Sequence, residues 1–407
     1  MRVLILGAGG VGSALANLLA RRGFVKQGLI ADIDAERAKR ASDRAGSNWS
    51  SIAVDASNPT SIARCATDFK ADLLVNACDP RLVPQIFSAA LIANVKYMDM
   101  AMSLSVPDKH LPYKQCGTKL GDLQFADNDR WEARNNLAIV GMGVEPGISN
   151  VFARYAQDTL FSEIDEVGVR DGSDLVVNDS NFAPTFNIWT VIEECLNPPI
   201  VYESEKGFFT TEPFSEPETF YFPEGLGRIT CVNVEHEEVV LIPRAINSGR
   251  VTFKYGLGEE FISILNVLHK IGLDSTSPVT LRGAEISPRD LLAAVLPDPA
   301  TLGERMQGRT CAGTWVKGRG KDGKPREVYL YHIADNKETM SKYGDQAVVW
   351  QTALGAAVAI ELLHSKDWDG VGVLGPEMFN PLPYLQLLSE LGAPAHLRDE
   401  RPKLLLP

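Results

Sequence analysis

No stretch of eighteen apolar residues occurs in the 407-residue chain, so the sequence predicts no membrane-spanning helix. The apolar N-terminal run, MRVLILG, is too short for a secretory leader and passes straight into glycines. Cysteine is scarce. Cys65, Cys78, Cys116, Cys195, Cys231 and Cys311 include no C-x-x-C pair, which speaks for reduced thiols in a cytoplasmic protein and against a zinc knuckle; no metal site is expected. Positive charge is in deficit, with 40 Lys and Arg against 52 Asp and Glu and a net charge of −12. That balance disfavours nucleic acid and anionic membranes as partners and is compatible with a cationic substrate. G-x-S-x-G, H-E-x-x-H and Walker A patterns are also missing. Nucleophilic hydrolysis, zinc proteolysis and phosphoryl transfer are therefore without support.

What is present is an alternation of short apolar strands with helices. RVLILG (2–7), GLIAD (28–32), SIAVD (51–55), DLLVNACDP (72–80), KYMDMA (96–101) and AIVGMG (138–143) read as strands. Residues 11–24, 35–46, 58–69, 82–95 and 127–137 read as helices. The pattern implies βαβ units and a doubly wound parallel Rossmann sheet of the α/β class. Residues 103–126 fit no such unit. Beyond Pro146 the chain turns aromatic and β-branched between turn residues, in VNDSNFAPTFN (177–187), 201–225 and 229–243. This predicts a second α+β domain on a mixed or antiparallel sheet, with helices at 261–273 and 288–297 and a hairpin at 314–333 turning on KDGK. Residues 345–364 read as a long buried helix. The expected division is 1–147, 148–340 and 341–407, the last returning to the first domain as a helix and a Pro-rich tail.

GAGGVG (7–12) stands between the first strand and the first helix. Gly7 permits the tight turn, Gly9 lets backbone approach a pyrophosphate, and Gly12 allows close helix–strand packing. Gly10 and Val11 open the helix whose free N–H groups face the phosphates. Asp32 ends the second strand, where a carboxylate holds ribose hydroxyls and repels a 2′-phosphate. The expected cofactor is NAD or NADP, with Asp32 favouring NAD; Arg37 and Arg40 read either as a 2′-phosphate site or as a solvated helix face. Asp55 reads as an adenine contact or a strand-end cap. Ala77 and Cys78 end the fourth strand, on the nicotinamide side of such folds.

A nicotinamide site needs groups that handle one proton and orient the substrate. In GMGVEPGISN (141–150), Glu145, Gly147 and Asn150 read as site-lining residues or as a hinge between domains. Asp99 ends the fifth strand and faces the crevice or caps the next segment. His236, in the alternating VEHEEVV, reads as a general acid or as a surface strand histidine. Asn187 holds a substrate carboxylate or caps its own helix. Lys254 and Arg244 are anion-binding candidates or plain surface charge. His269 and His332 read as structural.

Taken together, GAGGVG, the NACDP strand end, YMDMA, the GMGVEPGISN turn and FAPTFN resemble the saccharopine dehydrogenase-like reductases. LPDPATL, RTCAGTWVKGRGKDGKPREVYLYHIADN and DQAVVWQT resemble, within them, the carboxynorspermidine and carboxyspermidine dehydrogenase branch. The likeness spans nearly the whole chain. It implies a Rossmann domain, a second α+β domain forming a homodimer contact, and reductive condensation. In that reaction a diamine and an amino-acid semialdehyde form an imine, which the nicotinamide reduces. Under this reading His236, Asp99 or Glu145 acts on the proton or stabilises the iminium, while Gly147, Asn150, Asn187 and Lys254 hold substrate. The chain departs from the branch at Asp32-Ile33-Asp34 where Ser-Arg-Thr accompanies NADPH. It also departs at Trp350–Gly355 in the late helix, at Lys254 in place of an aromatic residue, and at Glu145 in place of Asp. Saccharopine or lysine dehydrogenation is the alternative activity, and a non-catalytic NAD-binding sensor the alternative of another class. A synthase that keeps its NAD through a full redox cycle is a third.

Overall fold

The run Arg2–Leu6 forms β1 because four of its five side chains are apolar and buried, and Gly7 ends it by turning into α1 (Gly10–Ala20). A computed structural model describes residues 1–179 and 182–399. The alternation continues through β2 (Gln27–Asp32), α2 (Ala35–Ala45), β3 (Trp49–Ala53), α3 (Pro59–Phe69), β4 (Leu73–Asn76), α4 (Val83–Ala93), β5 (Lys96–Asp99) and β6 (Leu137–Ile139). Asp34 caps α2 by accepting the Glu36 and Arg37 N–H groups, and Asn58 caps α3 ahead of Pro59. These strands make a seven-stranded sheet in the order β6-β5-β4-β1-β2-β3, extended beyond β6 by Gly372–Leu374. All its pairings are parallel. The strand order reverses between β1 and β4, which opens a crevice at their carboxyl ends.

The second sheet has nine strands and is mixed. Its centre is a parallel pair, Phe161–Ser173 beside Ser248–Gly256, and the hairpin Arg309–Gly320 with Pro325–Asp335 continues it antiparallel. The fold class expected from sequence, a Rossmann sheet with a second mixed-sheet domain, is the one found.

Helix Ala347–Ser365 joins the two halves. It is long and apolar enough to cross a membrane by composition, but it is a core helix, almost wholly buried and packed along α1. A Cβ at Gly355 would stand 2.0 Å from the Gly143 carbonyl oxygen. Glycine alone lets this helix pass so close to the turn between β6 and the helix Ile148–Tyr155.

Some sequence expectations are corrected. The helix at 127–137 is one short turn-rich piece, Asn128–Glu132. The third strand closes at Ala53, two residues early, so Asp55 lies outside it. His236 is not in a strand, because the preceding strand ends at Asn233 and a short helix begins at Glu238. Most of VNDSNFAPTFN is irregular, with only the strand Val176–Val177 reaching into its first residue; Ser180 and Asn181 lie outside the described residues. The tail contributes to both sheets: after Gly372–Leu374, the last described strand, His396–Asp399, pairs with Pro325–Asp335. Residues 400–407 lie outside the described residues.

Candidate active site

Two cavities, of about 440 and 530 Å³, meet over the GAGGVG turn and share Gly9, Gly10, Arg37, Asp298, Ala300 and Val349. The turn has the geometry of a pyrophosphate cradle. A Cβ at Gly12 would lie 1.9 Å from the Gly7 carbonyl oxygen, and one at Gly7 would lie 2.5 Å from that of Ala77. Space in front of Gly9 is open to at least 4 Å. The first turn of α1 carries no acidic residue and no side-chain cap, so its N–H groups stay available to an anion. These residues fit a dinucleotide. Val11, Ala77 and Cys78 line the larger cavity, while Gly7 and Gly12 shape the turn from behind. Burial, then Asp32 and Asp79, push the Cys78 thiol up to about 12, so it remains a neutral wall.

Asp32 is buried and braces the turn. Its Oδ2 accepts the Ala8 N–H at 2.8 Å, its Oδ1 accepts the Asp34 N–H at 2.9 Å, and Arg37 Nε lies 3.8 Å away. Arg37, Arg40 and Arg44 line the smaller cavity, where Arg44 is already paired with Asp345 at 2.7 Å. Asp55 lines neither cavity. It is exposed, and its Oδ1 accepts the Ser57 N–H at 2.8 Å, which is the capping role.

The larger cavity runs from Ala77–Pro80 to a wall of carboxyl groups: Glu145 from the turn, Glu194 from the helix Ile188–Leu196, and Glu237 beside the helix Glu238–Leu241. Arg37 is the one Lys, Arg or His among its described lining residues, and it sits at the cofactor end. Burial, reinforced by Glu237, Glu238 and Glu235 against the opposing pull of His236, pushes Glu194 up to about 8. Burial raises Glu237 and lifts Glu235 to about 7. Glu145 is raised well above the carboxylate range by burial and by Asp171.

His236 lies behind this wall. Its ring stacks on Phe253 at 3.8 Å, and Nδ1 meets Glu238 at 2.5 Å. Burial opposes its charge, yet Glu238, Glu237 and Glu194 push it up to about 10. It is a fixed imidazolium that balances the carboxylates, not the neutral-range acid expected from the sequence. Ligand atoms of His236, Glu237 and Glu238 lie within 4.8 Å of one another, a cluster joined internally by the His236–Glu238 bond.

Other candidates lie off the cavity. Asp99 is buried, accepts the Gly141 N–H and Gln124 Nε2 at 2.7 Å each, and is pushed up to about 7 by burial. Gly147 starts the helix after the turn, and its N–H donates to Asn150 Oδ1 at 2.9 Å; Asn150 Nδ2 donates to Glu377 at 2.9 Å. Lys254 is not a free cation, because its ammonium meets Glu218 at 2.8 Å and the Glu216 carbonyl at 2.8 Å. Arg244 lies 3.4 Å over the Phe125 ring. Asn187 does line the cavity, but its Oδ1 caps its own helix through the Trp189 N–H at 2.9 Å. Sequence reasoning missed Glu194, Glu237 and Asp171. The available signal was acid embedded in apolar helix, as in WTVIEECL.

The buried carboxyls dictate how stability depends on pH. Their folded values lie above the ordinary 3.8 or 4.5, reaching about 7 at Asp99, Glu235 and Glu377 and about 8 at Glu194. Between those limits the folded chain binds more protons than the unfolded one, so stability is full below about pH 4 for these groups and falls as pH rises through 8. His236, raised from 6.5 to about 10, acts in the same direction. The apo protein should melt several degrees lower near pH 8.5 than near pH 5.5, measured by calorimetry at constant ionic strength. A melting temperature that rises over that range would contradict the burial of these acids.

The chain resembles known proteins along its whole length. Residues 3–139 match the saccharopine dehydrogenase NADP binding domain, and residues 143–393 match the saccharopine dehydrogenase C-terminal domain. Carboxynorspermidine synthase of Vibrio cholerae is 30% identical over 406 residues, covering 96% of this chain and 95% of that protein. Carboxyaminopropylagmatine dehydrogenase of Synechocystis sp. is 29% identical, covering 97% of each. The fold is that of the L-Glu-forming saccharopine dehydrogenase of Saccharomyces cerevisiae, with a TM-score of 0.70 at 13% identity over 98% of this chain and 99% of that one. The chain therefore belongs to the saccharopine dehydrogenase family, and it is a nicotinamide-dependent oxidoreductase of carbon–nitrogen bonds.

Proposed function

We propose that the protein reductively condenses an aliphatic diamine-type amine with an amino-acid semialdehyde, forming a carboxylated polyamine. The names of the two relatives above support the product class. The carrying observation is the carboxyl wall of Glu145, Glu194 and Glu237 at the far end of the larger cavity. Ammonium groups are compensated there, whereas saccharopine-type substrates present several carboxylates and call for cations at an end whose described lining offers none, Arg37 standing at the cofactor end. When bound, the nicotinamide supplies hydride to the imine carbon. The chain's residues hold the amine in the acidic end, exclude water beneath Pro297–Ala300, and keep the nitrogen protonated so that the carbon stays electrophilic. In this reading Gly9, Gly10, Val11, Ala77 and Cys78 contact the cofactor. A homodimer is part of the proposal, through the second domain.

Steady-state kinetics with a panel of diamines and semialdehydes test this. Glu194→Gln should raise KM for the amine about tenfold or more, the loss of one charge-assisted contact, with KM for the cofactor unchanged. An amine KM that stays put, or no turnover with any diamine, would remove the reading.

We further propose NADH as the preferred cofactor. The Asp32 carboxylate stands at the end of β2, behind the Ala8 N–H, and its charge opposes a 2′-phosphate. Asp32→Asn keeps an acceptor for Ala8 while removing the charge. It should shift the NADPH-to-NADH ratio of kcat/KM toward NADPH by about tenfold. A wild-type preference for NADPH would overturn the assignment and transfer the role to Arg37 and Arg40.

A further inference from the structure

Glu145 holds an unresolved demand. Its Oε1 accepts the Gly313 N–H at 3.0 Å, but its Oε2 is buried with no donor among the described residues. A buried carboxylate oxygen left without a donor is costly, and native proteins rarely leave one so. The neighbouring acid is Asp171, on the strand Phe161–Ser173: it stands opposite Ala312, the residue before the Gly313 whose N–H meets Glu145, and the two acids act on each other. Two carboxylates have no hydrogen to share, whereas a carboxylate and a carboxylic acid do. One proton between them satisfies the orphan oxygen and removes the like-charge repulsion at once.

We propose that Glu145 and Asp171 share a single proton, and that this pair is the acid–base device of the condensation. The inference rests on the amine–aldehyde reading above. Glu145 lines the cavity and touches substrate; Asp171 acts through Glu145 and is a positioning residue. Glu145 takes one proton from the incoming ammonium, freeing the nitrogen lone pair to form the C–N bond; as the C=O π bond opens, a second nitrogen proton passes to the oxygen and makes it a hydroxyl. The proton held by Glu145 then goes to that hydroxyl, the C–O bond breaks, and water leaves. The sum is an ammonium plus an aldehyde giving an iminium plus water, with no oxidant or reductant consumed before hydride arrives.

The surroundings favour holding that proton. Glu238 adds like charge to both acids, and His236 pulls Asp171 in the other direction. Tyr255, Cys311 and Tyr329 complete the enclosure, and burial raises all three so that they stay neutral. Burial pushes Asp171 up to about 6 and Glu145 higher.

The test has two arms. The first needs no substrate. Infrared difference spectra of the apo protein near neutral pH follow the C=O stretch of protonated carboxylic acids. Glu145→Gln should remove one band, and Asp171→Asn should shift that same band as the remaining acid loses its partner; a band that survives Glu145→Gln or stays unmoved in Asp171→Asn overturns the shared proton. The second arm is turnover of the holoenzyme. Glu145→Gln should lower kcat at least about 100-fold, the usual scale of general acid–base loss, with cofactor KM unchanged. Asp171→Asn should move the alkaline limb of the pH–kcat profile down by about one unit or more, and Asp171→Glu should restore it. An unmoved limb overturns the role. Absence of wild-type turnover with every amine would instead sink the amine–aldehyde reading, with the infrared result still deciding whether the proton is shared.

Discussion

Carboxyl groups from Glu194, Glu237 and Glu238 crowd around one imidazolium, His236, and Glu145 adds a further acid beside Glu238. The cleft's chemistry follows from that imbalance. In a medium of low effective dielectric, like charges this close cannot all be expressed. The site must bind protons or bind a cation, and exchange between the two links pH, stability and ligand. Elsewhere in the second domain the same problem is solved internally. Lys254 and Arg170 both meet Glu218, and Arg289 meets Glu193. The wall facing the cofactor has a single imidazolium, His236, set behind several acids.

The fold supplies what holds such a wall in place. Glu145 is carried on a turn pinned by the close passage of Gly355 against Gly143, and the Gly313 N–H reaches back from the second sheet to its Oε1. Met102 donates to Glu237 at 3.1 Å from the segment after β5. The acidic end thus depends on both sheets being docked, while the glycine turn depends only on its own strand and helix. Glu145 spans the distance to the hairpin backbone at Gly313. Lys254 serves the buried pairing with Glu218.

What was legible from sequence was local. Glycine sterics at positions 7, 9 and 12, the strand–helix period and the caps at Asp34 and Asn58 are written within a few residues of where they act. Of the acidic wall only Glu145 was legible, through its Pro-Gly turn; residues 194 and 237 come from separate segments and each alone reads as ordinary surface acid. Lys254 misled for the same reason, since its partner lies 36 residues away. His236 misled through a two-residue alternation that the structure breaks with a helix start at Glu238. Asp55 failed by a two-residue shift in a strand end, which moved it off the crevice.

The central claim is that this wall exchanges protons for a cationic amine. Calorimetric titration of a diamine into the cofactor-loaded protein near neutral pH, repeated in buffers of differing ionisation enthalpy, measures that exchange directly. The account predicts binding accompanied by net proton release, because an ammonium lowers the pKa of the acids it meets. Binding without proton release, or no binding of any diamine, would contradict it.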